Sequence, residues 1–207
     1  MPQPVPATPD ELFAALDRLG IAHPTVRDPP LFTVEQSQSL RGAIPGGHTK
    51  NLFLKDKKDA LFLVTALEDA SIELKSLHQR LGAAGRFSFG SAELMMETLG
   101  VTPGAVTPFG AINDATRRVT VVLDAALMEH PIVNAHPLVN TMTTSIARDD
   151  LVKFLEATGH PPRIVRLPAR SRTPEHDCNC RFPSPFRRGT VLAGGKPGRS
   201  GRQARNT

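Results

Sequence analysis

The sequence lacks long apolar runs and has few cysteines, and both absences exclude classes of protein. No stretch approaches the roughly 18 to 20 apolar residues that a membrane-spanning helix needs. MPQPVPATPDE at the N-terminus has neither the basic nor the apolar part of a secretory signal. Cys178 and Cys180 have a single residue between them, which is tight for a disulfide, and no second pair completes a zinc site. We therefore expect a protein of the reducing cytoplasm with no membrane partner.

The sequence also lacks the strong motifs of familiar hydrolases and nucleotide-binding enzymes. It contains no G-x-S-x-G, no H-E-x-x-H and no Walker A motif, and GGHTKN holds the ingredients of a phosphate loop in the wrong order and spacing. The two cysteines have no base near them in sequence, which argues against a cysteine nucleophile. Five histidines show no shared metal-ligand spacing, so we expect no metal site: His23, His48, His78, His130 and His160.

Net charge is small in most of the chain and concentrated at its end. The formal net charge is +5, but the residues from Pro168 onward hold nine basic and two acidic side chains, or +7, which leaves −2 for residues 1–167. We predict a folded domain over residues 1–169 and a basic, Pro/Arg/Gly-rich, disordered tail over residues 170–207. The tail either adds salt-dependent affinity for a nucleic-acid backbone or is an extension without function.

Short helices and strands with clear start and stop signals fill the rest of the chain. Thr8 and Glu11 have the spacing of a capping box before a helix that Gly20 ends, and a second such helix runs from Thr33 to Gly42. Further helices are predicted over residues 71–81, 91–99 and 149–157, and strands over residues 21–26, 51–56, 60–67, 86–90, 117–127, 132–137, 140–146 and 163–167. Because no regular βαβ order is present, we predict an α+β fold with a mixed, curved, barrel-like sheet surrounded by helices.

Lys50 is the first candidate for chemistry. It immediately precedes the apolar run NLFL, so we expect it at the start of a strand, on the rim of the sheet. Gly46 and Gly47 would let the backbone come close to a ligand there, and the lysine would suit a phosphate or a carboxylate. The alternative is a solvated lysine that enters a strand.

Two later segments have the composition of a small pocket. Gly104 to Pro108 combines small side chains with fixed proline geometry, and its free N–H groups could face an oxyanion; the alternative is an ordinary rigid turn. His136 and Asn140 lie in a stretch dense in polar side chains where a core strand would be apolar. This stretch is either the floor of a polar pocket or an exposed strand face.

Three separated motifs, in the expected order, resemble the YbaK/ProX family. They are GGHTKNLFLKDKK at residues 46–58, GVTPGAVTPFG at residues 100–110 and NAHPLVNTMTTSI at residues 134–146. The family comprises free-standing relatives of the editing domain inserted in bacterial prolyl-tRNA synthetases. KNLFL followed by a charged turn looks like the ProX branch, which clears alanine mischarged onto proline tRNA. The resemblance covers roughly residues 8–168, and the tail has no counterpart in it.

The resemblance implies a cofactor-free aminoacyl-tRNA deacylase, with the acceptor end of tRNA(Pro) as substrate and prolyl-tRNA synthetase as a candidate partner. The family's lysine falls on Lys50, its G-x-x-x-P loop begins at Gly104, and its histidine falls on His136; these are the candidate catalytic residues. The lysine would engage the terminal adenosine, and a tRNA hydroxyl would help to activate water. The candidate substrate-binding residues are Asn51, Ala105, Val106, Thr107, Pro108 and Asn140.

The chemistry agrees with the absence of a nucleophile and base pair, because an activated ester needs little beyond a positioned water and donors for the oxyanion. A pocket cut for a methyl group excludes the proline ring, which gives the second, smaller sieve that a synthetase needs. Two alternatives remain open at this point. One is the same reaction on Cys- or Ser-tRNA, and the other is a non-catalytic module that binds tRNA or a synthetase.

Overall fold

The computed structural model describes residues 5–27 and 44–169. The helix predicted from Thr33 to Gly42 lies outside these residues. The predicted tail, with Cys178 and Cys180, lies outside them as well, so its predicted disorder stays a prediction.

Four α-helices lie within the described residues, and the sequence supplies a cap for the first three of them. The Thr8 side chain accepts a hydrogen bond from the Glu11 N–H, and the Glu11 carboxylate accepts one from the Thr8 N–H over 2.7 Å, which is the predicted capping box. Gly82 and Gly100 take the left-handed conformation that ends the second and third helices. The helices are α1 (Pro9–Arg18), α2 (Leu74–Leu81), α3 (Ala92–Leu99) and α4 (Arg148–Ala157), with 3-10 helices at Pro108–Asn113 and Leu127–Glu129.

One mixed sheet contains the eight strands of the part of the chain that the structure describes. They are β1 (Thr25–Arg27), β2 (Gly47–Lys55), β3 (Leu61–Leu67), β4 (Ser88–Phe89), β5 (Val119–Asp124), β6 (Ile132–Ala135), β7 (Met142–Ala147) and β8 (Arg163–Val165). The spatial order is β1-β7-β6-β2-β3-β5-β8, and β4 pairs with β2 off this path. The predicted α+β fold with a mixed sheet surrounded by helices is confirmed, and the sheet is open, with β1 and β8 at its edges.

Side chains of β2 and β3 alternate between two apolar cores. Phe53 and Leu63 are opposite each other in the register and pack in the larger core, which α1, α4 and the first 3-10 helix complete. Leu54 and Val64 belong to the second core, which α2 covers with Leu77 and Leu81. Both faces of the sheet are therefore covered. No helix in the described ranges is long and apolar enough to cross a membrane.

Strands β2 and β6 run side by side for only a short distance. They are parallel and pair at Gly47 with Val133 and at His48 with Asn134. Beyond this pair, β2 continues along β3 to Lys55, whereas β6 ends at Ala135 and stays paired with β7. The two strands therefore part, and a crevice at the diverging ends of parallel strands is a common place for a ligand.

Candidate functional site

The site is built around the point where β2 and β6 separate. Lys50 lies two residues beyond His48 on β2, and His136 lies two residues beyond Asn134 at the end of β6. His48 and Asn134 are paired in the parallel register, and Lys50 and His136 each lie two residues further along. Lys50 and His136 are therefore equally far past the last paired residues of the two strands. The sheet thus gives a reason why residues 86 apart in sequence belong to one region.

Asn51 connects β2 to the loop of residues 104–108. Its Nδ2 donates to the carbonyl oxygen of Val106 over 2.8 Å. Its Oδ1 accepts from the hydroxyl of Thr65, which lies directly across the strand pair, also over 2.8 Å. Each end of the amide therefore has a protein partner, and the contact brings the loop onto the strand that carries Lys50.

The 104–108 loop has the backbone that its composition predicted. Gly104 is exposed with φ of +91°, a conformation that side-chain-bearing residues rarely adopt. Thr107 and Pro108 are buried, and Pro108 opens a 3-10 helix in which the Phe109 N–H donates to the Thr107 hydroxyl over 3.4 Å. Ala105 donates its N–H to Thr102 over 3.0 Å. Within the described residues, no hydrogen bond is formed by the N–H groups of Gly104, Val106 and Thr107; Gly104 is exposed, Val106 is half-buried and Thr107 is buried.

The segment from His136 to Asn140 approaches the same loop. A Cβ built on Gly104 would lie 3.7 Å from Nδ2 of Asn140, so the two loops are neighbours. The imidazole Nδ1 of His136 lies 2.9 Å from the carbonyl oxygen of Met142. Because a carbonyl only accepts, Nδ1 carries the proton, and Nε2 of the neutral ring is left as an acceptor. Leu138 between them has φ of +66°, an unusual conformation for leucine that marks a constrained turn.

The position of Lys50 differs from the prediction. Strand β2 begins at Gly47, so Lys50 is the fourth residue of the strand and not its first. Its ammonium donates to the carbonyl oxygen of Ala70. Within residues 5–27 and 44–169, no hydrogen bond joins it to the 104–108 loop or to His136. Neighbouring side chains of a strand point to opposite faces, which separates Lys50 from Asn51.

Polar side chains behind the site are satisfied by the protein itself. Asn134 is buried; its Nδ2 donates to the carbonyl of Pro45 over 3.2 Å, and its Oδ1 accepts from Ser145 over 2.7 Å. The Thr49 hydroxyl donates to the backbone oxygen of Asn134 over 2.9 Å. The polar composition of β6 and β7 thus reflects a hydrogen-bonded interior that fixes the loop before β2, and no local pattern in the sequence indicates these partners.

A cavity of about 520 Å³ opens beside the start of β2, lined by residues 46–48, residues 67–69 and His130. Gly46 is required here, because its φ is +120° and a Cβ would come within 2.8 Å of the backbone oxygen of Ile132. Gly46 and Gly47 border the cavity, and the absence of a side chain at Gly46 also lets the chain pack closely against β6. No group of three His, Cys, Asp or Glu side chains in the described part of the chain could hold a metal ion.

Comparison with known proteins places this architecture in a family. The model of the aminoacyl-tRNA editing domain matches residues 28–154, which is more than half of the chain. The chain belongs to the aminoacyl-tRNA editing domain family. The match contains Lys50, the 104–108 loop and His136, so every part of the site described above falls inside the editing domain.

Relatives of the editing domain carry names linked to prolyl-tRNA. Prolyl-tRNA synthetase associated domain-containing protein 1 of Danio rerio is 40% identical over 157 residues, which cover 75% of this chain and 85% of that protein. The prolyl-tRNA editing protein ProX of Acetoanaerobium sticklandii is 34% identical over 157 residues, covering 75% and 95%. The resemblance to the YbaK/ProX family is thus confirmed.

A solved structure supports the fold of the editing domain. It is the crystal structure of a proposed trans-editing enzyme for prolyl tRNA synthetase, with a TM-score of 0.58 and 20% identity to this chain. The match covers 78% of this chain and 97% of the other chain. At this identity the likeness concerns the fold alone.

Proposed function

We propose that the protein is a trans-editing hydrolase that removes alanine from mischarged Ala-tRNA(Pro) without a cofactor. The editing-domain family and the similarity to a prolyl-tRNA editing protein support the substrate class. The observation that carries the proposal is the approach of Asn140 to the 104–108 loop, which Asn51 joins to β2, in the segment that His136 begins beside the split between β2 and β6.

The reaction is hydrolysis of an ester. Water adds to the carbonyl carbon, the bond to the ribose oxygen breaks, and the proton lost by water is returned to that oxygen, so alanine and the free 3′ end of the tRNA are the products. The N–H groups of Gly104, Val106 and Thr107 are the donors for the negative charge that develops on the carbonyl oxygen. A tRNA hydroxyl next to the ester assists the activation of water, which removes the need for a nucleophile in the protein.

Each candidate residue has a role in this proposal. Lys50 exchanges its bond to Ala70 for the terminal adenosine of the tRNA, where a flexible ammonium suits a phosphate. The Nε2 atom of His136 accepts a hydrogen bond from the substrate or from water. Asn140 and the loop side chains of Ala105 and Val106 border the amino acid, and Thr107 and Pro108 hold that loop in shape.

Size selects the substrate. The proposed amino-acid pocket beside the 104–108 loop admits the methyl side chain of alanine. The loop forms a wall that excludes the ring of proline, so correctly charged Pro-tRNA(Pro) is not hydrolysed. A synthetase site made for proline cannot strongly reject the smaller alanine, since a missing methylene is worth only about 1–3 kcal/mol. The acceptor end of tRNA(Pro) is therefore the proposed partner, and prolyl-tRNA synthetase is a candidate for delivering it.

A deacylation panel tests the reaction. Ala-, Ser-, Cys- and Pro-tRNA(Pro) are incubated with the protein in the presence of EDTA, and the release of amino acid is followed. We expect Ala-tRNA(Pro) to be hydrolysed fastest and Pro-tRNA(Pro) to be spared. Faster loss of the seryl or cysteinyl species would assign the enzyme to another substrate. Binding of tRNA without hydrolysis of any species would replace the enzyme by a binding module.

Substitution of Lys50 tests the site. We expect Lys50→Ala to lower kcat/KM for Ala-tRNA(Pro) by roughly one to two orders of magnitude, since one charge-assisted contact to the substrate is worth about 1.5–3 kcal/mol. Lys75→Ala, on the exposed side of α2, is the matched control and should keep wild-type kinetics. Unchanged hydrolysis by Lys50→Ala would remove this lysine from the site.

A further inference from the structure

Thr65 is a polar residue in the middle of an apolar strand. Strand β3 reads LFLVTAL, and Thr65 is fully buried between Asn51 on β2 and Leu123 on β5. A buried hydroxyl is unfavourable unless it makes a hydrogen bond. This one donates to Oδ1 of Asn51 over 2.8 Å.

The chemistry of the three groups fixes the direction of this chain of bonds. The carbonyl of Val106 can only accept, so the NH₂ end of the Asn51 amide must face it. The oxygen end of the amide then faces Thr65, and the hydroxyl has to donate to it. The Val106 carbonyl therefore sets which way round the Asn51 amide sits, and the Thr65 hydroxyl holds the amide in that orientation by donating to its oxygen. The amide in turn holds the 104–108 loop.

We propose that Thr65 is a positioning residue that sets the amino-acid selectivity of the editing site by holding the 104–108 loop through Asn51. The inference rests on the proposed function for its selectivity part, and on the described hydrogen bonds alone for its loop part. The peptide of Val106, whose carbonyl is held, belongs to the wall that separates alanine from larger side chains. A loop released from this bond moves outward, and the pocket admits larger amino acids.

The first measurement needs no substrate. Hydrogen exchange of the peptides covering residues 100–112 is followed by mass spectrometry in the full-length wild type, Thr65→Val and Thr65→Ser. Valine keeps the shape of threonine without the hydroxyl, and serine keeps the hydroxyl without the methyl group. We expect the loop amides to exchange about tenfold faster in Thr65→Val and at nearly the wild-type rate in Thr65→Ser.

The second measurement is the ratio of kcat/KM for Ala-tRNA(Pro) to that for Pro-tRNA(Pro). We expect the ratio to fall about tenfold in Thr65→Val and to stay within about twofold in Thr65→Ser. Thr144→Val is the matched control, because Thr144 is also fully buried on a strand and bonds to another side chain, the hydroxyl of Thr25 over 2.8 Å. It should lose stability without a change in the ratio.

A double variant shows whether Thr65 acts through the amide. In an Asn51→Ala background, Thr65→Val should change the ratio little further, since the connection is already broken. Additive effects, an unchanged ratio in Thr65→Val, or unchanged loop exchange would each overturn the inference. A wild-type protein that hydrolyses no charged tRNA would overturn the proposed function instead, and the exchange rates alone would then decide whether Thr65 holds the loop.

Discussion

Two asparagine amides, those of half-buried Asn51 and buried Asn134, connect irregular loops to the sheet in the same way. Asn51 accepts from Thr65 and donates to the carbonyl of Val106. Asn134 accepts from Ser145 and donates to the carbonyl of Pro45. An amide can serve a donor and an acceptor at once, so it joins a strand hydroxyl to a loop carbonyl that no ladder bond reaches. The loops on both sides of the β2–β6 split are thus fixed by side chains, and single substitutions can release them.

Gly104→Ala tests whether the 104–108 loop requires glycine for its backbone conformation rather than for lack of space. A methyl group at this position would have room, since its nearest neighbour would be 3.7 Å away, but φ of +91° disfavours any side chain. We expect a loss of about 1–2 kcal/mol in the free energy of unfolding and a strong fall in deacylation, because the loop N–H groups shift. Thermal unfolding and single-turnover hydrolysis of Ala-tRNA(Pro) measure the two effects.

Gly20→Ala is the control for that variant. Gly20 also has positive φ, +66°, with nothing within 4 Å of an added methyl group, and it follows α1, outside the candidate site. It should lose a similar amount of stability and keep full activity. If both variants lose activity equally, the effect of Gly104→Ala is one of folding alone and the loop has no special part in the reaction.

Thr98 is a buried threonine whose hydroxyl, unlike that of Thr65, makes no hydrogen bond within the described residues. It is 2% exposed at the end of α3, and its Oγ1 has no hydrogen-bond partner in the described part of the chain. Thr98→Val removes that unsatisfied group at nearly constant volume and helix propensity, so we expect the free energy of unfolding to rise by about 1 kcal/mol. Denaturant unfolding measures it. Thr98→Ser, which keeps the hydroxyl and loses the methyl group, should destabilise; a loss in the valine variant would contradict this account.

At the scale of elements, local signals predicted much of the structure. The caps at Thr8 and Ser91 begin helices, and Gly100 ends one of them. The two apolar runs on either side of the charged turn at residues 55–59 form the β2–β3 hairpin. These features depend on interactions within a few residues, and the side chains that make them are visible in the sequence.

Elements that depend on distant partners were predicted less well. The second described helix begins at Leu74 rather than at residue 71, because Ile72 bridges to Ala169 and the Glu73 N–H donates to Pro168 over 2.8 Å. Strand β2 reaches back into the glycines because Gly47 pairs with Val133. The role of Asn51 required the register with Thr65 and the position of Val106, which no local pattern contains. Local composition indicated Lys50, the 104–108 loop and the segment with His136, and the family motifs supplied their roles, which stay predictions.

Asp56 ties the β2–β3 turn to the end of α2, and this link should depend on pH. The N–H of Ala84, aided by those of Lys58 and Ala60, lowers the pKa of the buried carboxyl below its ordinary value of 3.8, and burial opposes this. A lowered pKa in the folded state means that the stabilisation is complete above the unfolded pKa and is lost as pH falls through the folded pKa. We expect Asp56→Asn to be less stable than wild type at pH 7.

The melting temperatures of wild type and Asp56→Asn, measured from pH 7 to pH 2.5, check this link. The difference between them should stay constant down to about pH 5 and narrow below pH 4, because the wild-type carboxyl takes up a proton there. A difference that is the same at every pH would show that the carboxylate charge is not what holds Ala84. Deacylation at neutral pH serves as a control for the remote site.

At the scale of the whole molecule, the site lies where one continuous sheet divides. Strand β2 pairs with β6 at its start and with β3 along the rest, so it belongs to both halves of the sheet. Both faces of its later part are packed in apolar cores, which makes it a rigid support. The proposed deacylation without a cofactor would depend on held geometry more than on reactive groups, and a strand fixed on both faces would provide that geometry.

The charge of the whole molecule is divided unevenly, and this leads to a prediction about salt. The segment from Pro168 onward carries +7, while residues 1–167 carry −2, so we expect long-range attraction to tRNA to come from the tail.

In the full-length protein we replace the nine basic residues of that segment with glutamine and measure tRNA affinity from 50 to 300 mM salt. Each cation that contacts a phosphate contributes roughly 0.7–0.9 to the slope of log affinity against log salt, so the wild-type slope should be steeper by several units. Selectivity between Ala- and Pro-tRNA(Pro) should not change, because both carry the same backbone. Equal slopes for the two proteins would mean that the tail does not contact the tRNA, and the folded domain alone would then have to supply the affinity.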